Sequence, residues 1–71
     1  MAHKPTIKSL REQTGLARAA FARLAHLSDE TQRKLEEGIP VSEDSANRAL
    51  EMLNRLLHTS YDVENIDVSL L

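Results

Sequence analysis

Residues 15 to 38, GLARAAFARLAHLSDETQRKLEEG, decide how this chain folds. At helical spacing Phe21, Leu24 and Ala25 form one short apolar face, Leu27 follows a break, and Leu35 sits on a second short helix. Helices of about two turns are not stable alone in water, so the two must pack across each other. Ala22 is small enough to stand where they cross closely at a steep angle, the geometry of two helices joined by a tight turn. Ser28 can cap the second helix, and Asp29 and Glu30 place negative charge on the free amides of its first turn. Gly38 marks its end. Gly15 likewise suits the left-handed position after an earlier helix, with Leu16 turning back onto that helix's apolar side.

The chain has 71 residues, 41% of them hydrophobic, which is enough for one core and hardly for two. A single domain over residues 1 to 71 is expected. The absence of cysteine excludes disulfides, thiolate metal sites and a cysteine nucleophile. No apolar run approaches the roughly 18 residues of a membrane span, and no apolar signal-peptide core follows Met1 to Pro5. A cytoplasmic protein with no membrane partner is the expectation.

The net charge of -2 hides an uneven distribution. Residues 1 to 34 hold seven Lys or Arg (Lys4, Lys8, Arg11, Arg18, Arg23, Arg33, Lys34) against Glu12, Asp29 and Glu30, a balance of +4. Residues 35 to 71 hold Arg48 and Arg55 against eight acids, a balance of -6. A basic half that carries the paired short helices suits a small binder with one phosphate-facing side.

Working outward, residues 1 to 6 read as a mobile start, with Pro5 barring an earlier helix and Thr6 available as a cap. Helix one is expected from about Ile7 to Thr14, burying Ile7, Leu10 and Thr14. Helix two follows from about Arg18 to Ala25 and lacks a good cap, since Ala17 stands where Ser or Thr would help by about 1 kcal/mol. Past Gly38, Ile39-Pro40-Val41 is extended, because proline biases its predecessor away from helix. Ser42 then caps the longest helix, to about Leu57, with Ala46, Ala49, Leu50, Leu53, Leu56 and Leu57 as the largest apolar stripe. Asp44 to Arg48 and Glu51 to Arg55 are i, i+4 pairs on its solvated side.

Residues 58 to 71 support two readings. Val63 and Ile66 at i, i+3 suggest a short fifth helix capped by Asp62, whereas the alternation of Ile66, Val68 and Leu70 suggests a strand. The helix is the preferred expectation, with Val68 to Leu71 frayed or used in dimerisation. Val63, Ile66, Val68, Leu70 and Leu71 are too apolar for an idle tail and should pack on helix four or on a second copy. The fold class expected is therefore all-α: a compact bundle of four to five helices, with its helical core at residues 7 to 57 and a helix-turn-helix within it.

The order of these signals resembles the Cro/repressor-type, XRE-like family of helix-turn-helix DNA-binding domains, over about Ile7 to Leu57. The resemblance rests on Arg11-Glu12-Gln13-Thr14-Gly15-Leu16, on Phe21-Ala22-x-x-Ala25-x-Leu27-Ser28, and on Leu35-Glu36-x-Gly38, followed by a proline and a capped apolar helix. It implies a lambda-repressor-like fold, double-stranded DNA as partner, and a buried or half-buried ion pair between Arg11 and Glu36. Three positions depart from the pattern. His26 replaces the usual turn glycine, and histidine is among the residues that visit positive φ. Gln32 stands where the family usually buries Ile or Val, which predicts looser packing of helix three. Asp29 and Glu30 occupy early recognition-helix positions, where carboxylates are repelled by phosphate but can accept a hydrogen bond from cytosine N4.

The DNA-facing residues implied are Arg18 towards phosphate, Thr31, Arg33 and Lys34 nearest the groove, and Asp29 and Glu30 acting by exclusion. The bland alternative for each cation is a solubilising surface charge, and Arg23 is read that way. His3, His26 and His58 are scattered without acidic or cysteine partners at ligand spacing, so no metal site is expected. No pair of acids in an apolar setting, Gly-rich phosphate loop or nucleophile beside a base occurs, so neither enzyme activity nor a cofactor is expected. Two functions follow from different classes: a sequence-specific DNA-binding transcriptional regulator acting as a dimer on a two-fold site, or a protein-interaction module, antitoxin-like or a regulatory partner, that keeps the fold without strong DNA binding.

Overall fold

The computed structural model describes residues 4–71, which form four helices: α1 (Ile7–Thr14), α2 (Arg18–Leu24), α3 (Asp29–Glu37) and α4 (Glu43–Leu57). Residues 1 to 3 of the expected mobile start, His3 among them, lie outside that range. Three helix starts are fixed by a hydroxyl that accepts from a main-chain amide in the first turn: Thr6 from Ser9, Ser28 from Thr31 and Ser42 from Ser45. Ala17 gives α2 no such bond. Gly15 and Gly38 end α1 and α3 at φ of 77° and 78°, a conformation that side chains with a Cβ enter only with strain. His58 does the same for α4 at φ 56°, and His26 turns the chain between α2 and α3 at φ 59°.

The chain is an all-helical bundle in which α1 packs on α4, α2 packs on α3, and α3 also touches α1 and α4. Ile7, Leu10, Phe21, Ala25, Leu35, Val41, Ala46, Ala49, Leu50, Leu53 and Ile66 build one core. Four residues expected in it are not there, Thr14 and Leu57, which are partly buried, and Leu24 and Leu56, which are exposed. Leu24 is 48% exposed because α2 buries Phe21 and Ala22, with Ala25 just past its end, a face rotated away from Leu24. Leu56 lies at the margin of the α4 stripe and is exposed, while Leu57 is only partly buried.

The expected fifth helix is absent among the described residues. Asp62 accepts from the Glu64 amide, and the Asp62 amide donates to Asn65 Oδ1, so short side-chain bonds close a turn where a helix would need its own main-chain ladder. Beyond the turn the chain is extended and finds partners far away in sequence. The Asp67 amide donates to the Pro5 carbonyl at 2.9 Å, Val41 to Ser69 at 3.0 Å, and Leu71 to Val41 at 2.9 Å. These bonds produce isolated parallel bridges, Thr6 with Asp67 and Val41 with Leu70, which strap the tail across the start of α1 and the segment before α4. Ile66 is buried in this chain's own core, Val63 and Val68 pack against it, and Leu70 and Leu71 stay exposed. Asn54 of α4 anchors the approach, donating to the Tyr61 carbonyl and accepting from the Tyr61 amide, each at 2.8 Å.

Candidate nucleic-acid interface

The pair α2 and α3 carries every residue that the sequence marks as DNA-facing. α3 is amphipathic, with Gln32 and Leu35 buried on its inner side. Glu30 and Glu37 are exposed, and Thr31, Arg33 and Lys34 are partly exposed. The turn before α3 is held from outside by α4, where Arg48 Nη1 donates to the His26 carbonyl at 3.1 Å.

A part-buried polar cluster fixes α3 against α1. Arg11 donates to Glu36 through Nε at 2.7 Å and Nη2 at 3.1 Å, and through Nη1 to the Leu16 carbonyl at 2.8 Å. Their side chains are 13% and 6% exposed, so this pair is withdrawn from water. Burial pushes the Glu36 carboxyl up, but hydrogen bonds from Arg11 and Gln32 outweigh it and hold the group below its ordinary value. Gln32 is completely buried, and its Nε2 donates to Glu36 Oε2 at 2.9 Å. Its Oε1 has no partner among the described residues. The Gln32 amide thus adds a third donor nitrogen to the two that Arg11 directs at Glu36.

On the outer side, the two candidate arginines are engaged with acids. Arg18, first in α2, donates through Nε and Nη2 to the two carboxylate oxygens of Asp29, first in α3, both at 3.1 Å. These bonds hold Asp29 below its ordinary carboxyl value. Arg33 donates to Glu30 on one side and to Glu37 at 2.9 Å on the other. The Arg33 bond likewise lowers Glu30. Lys34 makes no ion pair among the described residues. The Thr31 hydroxyl accepts from Ser28 Oγ at 2.9 Å and retains its own proton for donation.

The arrangement therefore juxtaposes Arg18, Arg33 and Lys34 with Asp29, Glu30 and Glu37, equal numbers of each sign. Sequence reasoning did not include Glu37, although Arg33 and Glu37 are spaced i, i+4 and Glu30 and Arg33 i, i+3, so both pairs were readable from spacing alone. The contact between Arg18 and Asp29 spans two helices and has no such local signature.

Away from this face, a small hollow between the end of α2 and the middle of α4 is lined by Leu24, Ala25, His26, Arg48, Glu51, Met52 and Arg55. Among the described residues no cluster of His, Cys, Asp or Glu is placed to hold a metal ion, and no helix is long and apolar enough to cross a membrane. Comparison of the chain with protein-family models, with curated protein sequences and with solved structures finds no match.

Proposed function

We propose that this chain is a small sequence-specific DNA-binding transcriptional regulator whose α2, turn and α3 work as a helix-turn-helix, acting as a dimer in the cytoplasm. The observation that carries the reading is the one-sided anchoring of α3. Gln32 and Leu35 face inward and Glu36 is tied to Arg11, while the side bearing Thr31, Arg33 and Lys34 is partly exposed and, among the described residues, touches no other helix through an ion pair. A helix about 10–12 Å across enters a major groove about 12 Å wide only when one of its sides is unencumbered. Arg18 at the start of α2 stands where a backbone phosphate would be met.

The test is binding to random-sequence duplex across a salt series, followed by selection of preferred sites. Affinity should fall steeply as salt rises, with the slope reporting the number of phosphates neutralised. A flat salt response would sink this reading.

The equal number of acids and cations on the interface favours a second reading, a protein-interaction module using another surface. The exposed Leu24 beside Met52 is its best anchor. If Leu24→Ser abolishes binding to an isolated partner protein while Arg18→Ala changes nothing on DNA, this reading replaces the first.

A further inference from the structure

We infer that Asp29 is an internal substitute for phosphate: it occupies Arg18 in the free protein and must be displaced before Arg18 can hold DNA. The inference rests on the DNA-binding reading above and adds how that binding is limited. A carboxylate that accepts from Nε and Nη2 together uses the same fork of donors that an arginine offers to two phosphate oxygens. Both contacts are 3.1 Å long, and both side chains are reached by solvent, 39% for Arg18 and 50% for Asp29. Nothing buries the clasp, so it opens without unpacking the core. Arg33 is occupied differently, giving Nη1 to Glu37 and Nη2 to Glu30.

Of the three candidate cations only Lys34 is unpaired among the described residues. A DNA site that offers only phosphates gains little, because each arginine exchanges one anion for another and leaves an acid near the backbone. A site that also engages the released carboxylate, by presenting a cytosine amino group to it, recovers the difference. Discrimination between DNA sequences then lies in Asp29 as much as in any cation.

The experiment is a double-mutant cycle on Asp29→Asn and Arg18→Ala, read by fluorescence anisotropy with random-sequence duplex from low to moderate salt. In the Arg18 background, Asp29→Asn should tighten binding about two- to fivefold and steepen the salt slope by about one phosphate. In the Arg18→Ala background the same change should have much less effect, since no arginine remains to be released. Equal gains in both backgrounds would mean that Asp29 acts by general repulsion alone, and the clasp inference would be wrong. Absence of binding by the wild type and every variant at low salt removes the DNA reading itself, whereas binding that Asp29→Asn leaves unchanged removes only the clasp. Circular dichroism melts identify variants that fold, and the Ser28 cap of α3 is kept in all of them.

Discussion

Gln32 donates its amide nitrogen to Glu36 Oε2 at 2.9 Å, one turn further along α3, while its own buried carbonyl oxygen meets no partner among the described residues. The two halves of one amide thus act in opposite directions. The donor half stabilises the Glu36 carboxylate, and the acceptor half carries a desolvation cost of about 1–3 kcal/mol.

Replacing Gln32 tests this balance. Gln32→Leu removes the orphaned acceptor and leaves Glu36 its two bonds from Arg11, so the urea midpoint should stay level or rise. Gln32→Glu sets a second carboxylate against the first and should cost at least about 2 kcal/mol at neutral pH. A loss of more than about 2 kcal/mol in Gln32→Leu would show instead that the third donor outweighs the orphan.

The ion pair between Arg11 and Glu36 should behave as a buried pair. Arg11→Ala or Glu36→Ala each strands a charge out of water and should cost about 3–5 kcal/mol in denaturant unfolding. Replacing both, as Arg11→Met with Glu36→Leu, should be far milder than either single change. Equal losses in the singles and a larger one in the double would contradict the desolvated pair.

Stability should also fall in acid. The folded carboxyl of Glu36 lies below its ordinary value of 4.5, so its contribution is complete above that pH and disappears as pH drops through the lower folded value. Asp29 and Glu30 are lowered in the same direction by Arg18 and Arg33. Thermal melts of the wild type should therefore weaken below about pH 4.5. Glu36→Gln should reduce that dependence, and parallel pH profiles for the two proteins would rule Glu36 out as a source.

The tail makes a separate prediction. Ile66→Ala should cost about 2–5 kcal/mol, the range for a fully buried aliphatic, whereas Leu71→Ala should cost almost nothing because that side chain is 91% exposed. Deleting residues 68 to 71 removes both bonds to Val41 and should lower the thermal midpoint. Sedimentation of the same deletion reads whether the exposed Leu70 and Leu71 also join two copies. An unchanged melt would mean that the strap adds no stability.

His58 ends α4 in the left-handed region at φ 56°, where glycine is free of the Cβ strain. His58→Gly should raise stability by about 0.5–1 kcal/mol. A drop would show that the imidazole makes a contact outweighing the strain.

What the sequence by itself determined was set by neighbours three or four residues apart. Thr6, Ser28 and Ser42 as caps, Gly15 and Gly38 as stops, and the stripe through Ala46, Ala49, Leu50 and Leu53 are all local, so helix number one to four and their bounds were readable. Tertiary structure alone decided the rest. Leu24 faces out because burying Ala22 rotates α2, which depends on what α3 presents to it. The tail is a strap rather than a helix because Pro5 and Val41, distant in sequence, supply its hydrogen-bond partners. Gln32 is buried because Glu36, already fixed by Arg11 from α1, gives its amide somewhere to donate. Arg18 meets Asp29 only because the His26 turn brings the first residues of α2 and α3 together. For the tail, distant partners outweighed local propensity, because backbone groups taken out of water go where their hydrogen bonds can be met.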